Sequence, residues 1–516
     1  MTQGQLEGIP VQITQAFSQL EIRIMSDIVR RIKINGFSTA SADWQMTRLQ
    51  QLGKSEEDIK KWIRIALETT EEEMEHIFSD VVYAEYMGHE RAYKVNGMEQ
   101  IPFEENVELQ SLIEGVRKQT GDTFQNMTGS MGFVKQDASG HLKPVELSEY
   151  YQTTLDAAML DIHSGAFDYQ TVLMRTINEM TKSGLRWIDY ESGWHNRVDV
   201  AARRAVMTGF RQVQGKINEQ VADQLGTDYF EVTCHVGARP THQPWQGKVW
   251  TMQQLKSVCG LGTGDGLHGW NCYHDYNAFI PGVSVRTYTD EQLDQMIEAE
   301  NTPKTYNGKQ YTTYEALQQQ RRMETAMRKT RHDIRLMEEG EADVQSIMLK
   351  KGKYYGQMQT YVDFSEKMKL PQQRDRIYQD GLKGNFSSKA AYDKQQRRLA
   401  EKKRYDIIKS ELKDAGIRGS LIFEPKKLSI KEFDFDEVHI NSERSHNITK
   451  TEAQQFIREA EIVLERWNGQ FMNYYGKNGS VYVDVKNKVV RTAFKADEYD
   501  DNTKKIVEVM KKHGKD

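Results

Sequence analysis

A mostly α-helical chain with a small central α+β motif and a separate C-terminal α+β domain is the fold that the sequence predicts. Three observations predict it. Apolar residues recur at three- and four-residue steps over long stretches, the pattern of helices with one buried face. Between Thr233 and Gly282 that pattern gives way to all three Cys of the chain, four His, three of the eight Trp and a cluster of Gly. After Phe433 the pattern changes again, to short alternating segments separated by Asn-Gly and Asn turns.

At 516 residues the chain exceeds one core, and a domain size of about 100 to 200 residues implies roughly three. The changes of pattern divide it into a helical region over 1–225, the Gly/Trp/His/Cys-rich motif over 226–290, a charged helical region and linker over 291–425, and an α+β domain over 426–516. Apolar residues make up 38% and charged ones 28% of the chain. This balance suits long helices exposed on much of their surface, or completed by a partner. The net charge of −5 gives no global basic field, so any contact with DNA must be local. An odd number of Cys in one segment fits reduced thiols in a cytoplasm rather than a disulfide framework. The N-terminus carries no charged region followed by an apolar run and is not expected to be a signal peptide. No window reaches 18 uninterrupted apolar residues, so no membrane contact is expected.

In order along the chain, Ile13, Phe17, Leu20, Ile24 and Ile28 predict an amphipathic helix from Pro10 to Gly36. Asp43 opens a short helix through Leu52, and Ser55-Glu56-Glu57-Asp58 has the form of a capping box that starts another. Glu71 to Tyr86, Leu109 to Gln119, Ser148 to Ile162, Phe167 to Lys182 and Val198 to Leu225 continue the helical theme, with a Gly-containing loop over Phe124 to Leu142 that has room for a short extended piece. On the last of these helices Arg203, Arg204 and Arg211 form either a solvated or ion-paired face or a phosphate-binding stripe. Phe230 to Thr233 and Lys248 to Trp250 predict strands. Asp290 to Ala299 returns to helix, Thr302 to Tyr311 is a turn, and Tyr314 to Glu341 and Val344 to Ala415 are charged helices broken at Pro371 and Gly381. The basic run from Gln395 to Arg404 suits a solvated helix face, with a nucleic-acid contact as the alternative.

Two readings stand for the central segment. Cys234, His242, Cys272 and His274 offer two thiolates and two imidazoles, the soft and borderline donors that a structural Zn²⁺ prefers. Their Cys-x7-His and Cys-x-His spacings are not the tight knuckle of a zinc finger. In the other reading these side chains serve a loop-rich turn, with Trp245 and Trp270 packed over the glycines and the histidines bonded to buried backbone.

The stretches GARPTHQPWQGKVW and GWNCYHDYNAFIPG resemble the signature of the phage minor capsid protein 2 family, a relative of the Mu F-like head-morphogenesis proteins. The matching positions are Arg239, His242, Gly247, Lys248 and Val249, then Asn271 and Cys272. The chain departs from many Mu F-like members in having Tyr273 and His274 where a Cys-Arg-Cys pattern would add a thiol. The resemblance implies a virion component, made in the host cytoplasm, that sits inside the head of a tailed phage at the portal vertex. Its partners would be the portal protein and other capsid proteins, with packaged DNA as a further contact. The amphipathic N-terminal helices are the expected docking elements.

In the C-terminal region the pattern predicts a strand at Glu437 to Ile440, a helix from Thr449 to Arg466, strands at Phe471 to Tyr475, Val481 to Val485 and Val489 to Phe494, and a closing helix from Asp501 to Lys512. His439, Arg444, His446, Tyr474 or Tyr475, Arg491, Thr492 and Lys495 fall at or near strand ends, where a sheet can bring them to one face. Metal-free RNA cleavage needs a base, an acid and cations for the phosphorane-like charge, roles open to His439, His446, Arg491 and Lys495. HINSERSH and VYVDVKNKVVRTAF resemble the phage Barnase, EndoU, colicin and RelE-like nuclease modules often fused behind minor capsid proteins. That resemblance implies an RNA substrate and an immunity protein. A silent adaptor is the bland alternative, and a ribonuclease toxin with a helical delivery scaffold the bolder one.

Overall fold

The structure, a computed structural model, describes residues 3–36, 43–137, 139–189, 191–423, 425 and 427–513, with the side chains of these except at 3, 35, 36, 43–55, 159 and 163. The chain forms two compact units, Met1–Tyr392 and Asp393–Asp516.

The first unit opens with α1 (Gln3–Gly8) and α2 (Val11–Gly36). One continuous helix, α3 (Asp43–His76), follows, where a short helix and a capping box at Ser55 are expected. The backbone there is helical on both sides of Ser55, so it cannot be a cap, and its side chain lies outside the described residues. A π-helical turn at Ile77–Val81 carries α3 into α4 (Val82–Met87), followed by α5 (Glu90–Val95) and α6 (Val107–Gly129). The expected loop over 124–142 is instead the end of α6, with Phe124 and Met127 buried, and a hairpin of β1 (Met131–Gln136) and β2 (Leu142–Glu146). Four successive buried residues in β1, Met131 to Val134, point alternately to its two faces, so both are covered, and α7 and α8 pack against the strand.

The helices α7 (Leu147–His163) and α8 (Tyr169–Ser183) lead to β3 (Arg186–Ile188) and β4 (His195–Arg197), which complete an antiparallel sheet of order β2-β1-β3-β4. The long helix α9 (Val198–Gln224) then delivers the chain to β5 (Tyr229–Val232), β6 (Val249–Thr251), α10 (Met252–Ser257) and β7 (Tyr276–Phe279). Here β5 is the middle strand and pairs antiparallel with both β6 and β7. After α11 (Asp290–Asn301), the segment expected as a turn is a hairpin of β8 (Lys304–Tyr306) and β9 (Lys309–Tyr311). Its corner is Asn307-Gly308, both at positive φ, as a two-residue primed turn requires. The charged helices α12 (Thr313–Glu339) and α13 (Val344–Met368) pair as a hairpin, followed by the short α14 (Asp375–Tyr378).

Ile13, Phe17, Leu20, Ile24 and Ile28 are all buried, as the periodicity predicts. Met25, Val29 and Ile32 are buried as well, because α2 is surrounded by α3, α7, α8, α9 and α12. The apolar stripe expected to lie on a partner is therefore consumed by the unit's own core. Each such side chain contributes roughly 1.5–3 kcal/mol where it is, so partner docking through this stripe would sacrifice more than it gained. Even the charges of α2 are used internally. Glu21 accepts from Arg197 at 2.8 Å and Asp27 pairs with Arg31 at 3.3 Å.

Helix α15 (Lys389–Asp414) spans the boundary in sequence, and its Ile408 and Leu412 belong to the core of the second unit. That unit contains β10 (Ser420–Leu421), β11 (Asp434–Phe435), α16 (Lys450–Glu459), β12 (Ile462–Arg466), β13 (Phe471–Tyr475), β14 (Gly479–Asp484), β15 (Val489–Lys495) and α17 (Asp501–His513). The sheet order is β10-β12-β13-β14-β15-β11, antiparallel except where β11 joins β15. Side chains alternate between two cores. Val463, Tyr474, Val481, Val483 and Val490 pack under α16, while Ile462, Leu464 and Tyr475 pack with α15 and α17. Two expectations fail here. Glu437 to Ile440 is not a strand, since Val438–Glu443 forms a π-helical turn after β11. The helix expected to Arg466 stops at Glu459, because consecutive Ile462, Val463 and Leu464 feed both faces of the sheet as β12. Among the described residues no helix is long and apolar enough to cross a membrane.

Candidate metal centre

The motif is built on the two ladders of β5. Just past β5, Thr233 donates its N–H to the Asp275 carbonyl at 2.8 Å, and Asp275 donates its N–H to the Thr233 hydroxyl at 2.8 Å. These bonds bring the Cys234–His242 and Asn271–His274 stretches side by side. The Arg-x-x-His spacing forms a turn, with the His242 N–H on the Arg239 carbonyl at 2.8 Å. The Arg239 guanidinium then reaches the Gly-rich loop, donating to the Trp270 carbonyl at 2.7 Å and to the Asp265 carbonyl at 3.4 Å. That loop is too tight for side chains. A Cβ at Gly266 would meet the Gly260 carbonyl oxygen at 2.1 Å, and one at Gly269 the Gly264 oxygen at 2.5 Å. Trp270 lies over Gly264, as expected, whereas Trp245 is buried against His242 and His274, with ring centroids 4.5 and 4.8 Å away.

Inside this knot His242, Cys272 and His274 are buried, and their donor atoms lie within 4.8 Å of one another. The two Nδ1 atoms are 3.4 Å apart, and Cys272 Sγ is 3.5 Å from His274 Nδ1 and 3.9 Å from His242 Nδ1. Ligands of one tetrahedral Zn²⁺ with ordinary Zn–N and Zn–S bonds are separated by about 3.3 Å (N to N) and about 3.6 Å (S to N). The outer ring nitrogens fix the tautomers. His242 Nε2 donates to the Asp265 carbonyl at 2.8 Å and His274 Nε2 donates to Gln246 Oε1 at 2.9 Å. Gln246 Oε1 is an acceptor there because it also takes the His235 backbone N–H at 3.3 Å. Both Nδ1 atoms are left as lone-pair donors, as in metal-ligating histidines with an oriented second partner. Burial pushes both imidazoles toward their neutral form and the Cys272 thiol upward.

Cys234, the fourth expected ligand, lies outside this group. Its Cβ sits beside Gly247, and burial next to Glu300 pushes its thiol up to about 11. The neighbouring His235 takes the place by the cluster, its ring 4.1 Å from that of His274. Sequence spacing did not single out His235 or Gln246, and it placed Trp245 over the glycines rather than against the histidines. The three arginines of α9 are neither solvated nor a free stripe. All turn onto the motif: Arg203 donates to the Tyr273 hydroxyl at 3.1 Å, Arg204 stacks on Trp270 at 4.9 Å, and buried Arg211 donates to the Cys272 carbonyl at 3.3 Å.

With the motif's geometry established, the comparison with known families is specific. Residues 1–363 match the family described as Phage minor capsid protein 2. The chain belongs to that family. The match covers the helical scaffold and the whole metal-centre motif, and it ends before the C-terminal unit. No curated protein and no solved structure matches the chain.

In the C-terminal unit of this minor capsid protein the candidate residues are dispersed. His439, on the π-helical turn, pairs with Glu443 at 2.9 Å. His446 pairs with Glu498 at 2.5 Å and lies against Phe494, and the Lys495 N–H donates to the same Glu498 carboxylate at 3.4 Å. Arg444, Arg491 and Lys495 are exposed and Thr492 is half-buried. Tyr474 is buried under α16, its hydroxyl 3.6 Å from Met472 Sδ, and burial pushes its phenol up to about 12. The sheet separates it from His446, whose partner Phe494 packs with the other core.

Proposed function

We propose that the protein is an internal structural component of a tailed-phage head that docks at the portal vertex, with one structural Zn²⁺ held by His242, Cys272 and His274. Membership of the minor capsid family carries this reading. The knot's chemistry supports it, since two imidazoles and a thiol suit zinc better than harder cations. The α9 arginines make the motif a clamp on the helical scaffold rather than an appended loop. With the α2 stripe enclosed, docking falls to surfaces other than the N-terminal apolar face. Protein analysis of purified particles, with affinity capture of the portal ring, tests the reading. The minor capsid protein should be in mature heads and retained on the ring, and its absence from both would refute it.

A second reading concerns the C-terminal unit as a metal-independent endoribonuclease packaged with the head. His446, oriented by Glu498, whose carboxylate also takes the Lys495 backbone N–H, is the group that favours it. Full-length protein incubated with RNA tests it, with cleavage expected to vanish in His446→Ala.

A further inference from the structure

Beside the motif lies a cavity of about 510 Å³, walled by α1, the start of α2, α9, α12, the segment around α14, and the two residues that flank Cys272 in sequence. Cys272 points into the metal centre, while Asn271 and Tyr273 line this cavity. Four arginines border it: Arg203, Arg321, Arg328 and Arg376.

The carboxylates around it are largely committed. Asp199 is shared by Arg328 at 3.2 Å and Arg197 at 3.3 Å, and Arg197 is held in turn by Glu21. Glu7 pairs with Arg376 at 3.3 Å. Glu324 is buried under the Tyr361 hydroxyl at 3.1 Å, and burial raises its carboxyl above the ordinary range. Asp375 sits exposed at the rim. Among the described residues no carboxylate forms an ion pair with Arg203 or Arg321. Arg203 is half-buried with only the Tyr273 hydroxyl as acceptor, and Arg328 Nε is buried without a partner. Burial disfavours the Arg203 charge, with Arg376 and Arg321 adding to the effect and Tyr273 and Glu7 opposing it. A half-buried guanidinium with no ion pair of its own is costly, and an anion that joins it relieves the cost.

We infer that this cavity binds the terminal phosphate of a nucleotide-sized ligand, gripped by Arg203 and Arg321. A phosphate offers the oxygens that planar guanidinium forks match in pairs, and its double charge balances two arginines at once. The volume lies within the range of small-molecule sites, about 300–1,000 Å³, and exceeds what a bare phosphate fills. The side-chain amide of Asn271 and the amide oxygens of Gln373 and Gln379, whose nitrogens donate to Glu7 and Asp199, supply polar partners for the remainder. The phosphate can belong to a free nucleotide or to the 5′ end of a DNA strand.

Isothermal titration of the full-length protein with inorganic phosphate, ADP, and a short single strand with and without a 5′-phosphate tests this. Saturable one-site binding of ADP is expected, weakened at least about tenfold in Arg321→Gln, a variant with no ion pair to lose. Arg203→Gln should weaken it likewise, and unchanged melting of Arg321→Gln separates lost binding from lost fold. Tighter binding of ADP than of either strand assigns the free nucleotide, and a preference for the phosphorylated strand over the unphosphorylated one assigns the DNA end. The inference is overturned if no probe binds saturably at millimolar concentration, if both strands bind equally while ADP does not, or if both variants bind undiminished.

Discussion

His242 Nδ1 and His274 Nδ1 face each other at 3.4 Å, each with its other ring nitrogen already donating, so two lone pairs point into one space beside Cys272 Sγ. Neutral imidazoles in these tautomers cannot bond to each other. A shared cation would convert the repulsion into coordination, and on the proposed reading the knot's stability depends on it.

Chelator treatment should therefore lower the melting temperature of the protein, whereas Cys234→Ser should leave both the melting temperature and its sensitivity to chelator unchanged. In a unit of this size each kcal/mol corresponds to roughly 1 °C, so loss of a site that contributes several kcal/mol should shift the midpoint by several degrees. Differential scanning calorimetry checks it, and a Cys234→Ser protein that behaves like Cys272→Ser would restore Cys234 to the ligand set.

Packing of α9 on α6 sets a second expectation. A Cβ at Gly209 would stand 2.8 Å from both Thr120 Oγ1 and Val116 Cγ1. Gly209→Ala should cost about 1–3 kcal/mol through overpacking. Gly115→Ala, in the interior of α6 with open space around it, should be neutral or stabilise by up to about 1 kcal/mol. Urea unfolding of the two variants distinguishes them, and equal effects would argue against the close crossing.

Acid sensitivity follows from His332, which is buried and faces Asp380, Glu21, Arg197 and Arg328, with burial holding its imidazole below the ordinary His range. The folded form stays neutral where the unfolded chain takes up a proton. Its contribution is therefore complete above the ordinary His value and declines as pH falls below about 6.5, by up to about 1.4 kcal/mol per pH unit. His332→Gln should reduce the fall in urea midpoint between pH 7.5 and 5.5, and an undiminished fall would show that this histidine does not drive it.

If the C-terminal unit cleaves RNA, Tyr474→Phe should leave cleavage intact, since its hydroxyl lies inside the core, 3.6 Å from Met472 Sδ. His446→Ala should abolish it. A gel assay showing loss in Tyr474→Phe without loss of fold would place the chemistry on the other face of the sheet.

The long helices were legible because burial on one side leaves a period in the sequence. The α2 stripe is the clearest case, although periodicity could not reveal that Met25, Val29 and Ile32 extend it until little surface is left. The run Ile462-Val463-Leu464 continued the helical register of α16 and concealed a strand buried on both faces. Tyr276–Phe279 gave no alternation and was missed as β7, since only its first residue is fully buried. At the candidate metal centre residue type singled out the three side chains that the fold gathers. Cys234 is not among them, because consecutive residues leaving β5 turn opposite ways, so Cys234 faces Gly247 while His235 meets His274. No spacing rule records that direction.

Elemental analysis of full-length protein purified without chelator bears most directly on the clamp at the heart of this minor capsid protein. One zinc per chain is expected, lost in His274→Ala and kept in Cys234→Ser. A protein that folds with the same melting temperature and carries no stoichiometric metal would contradict the account.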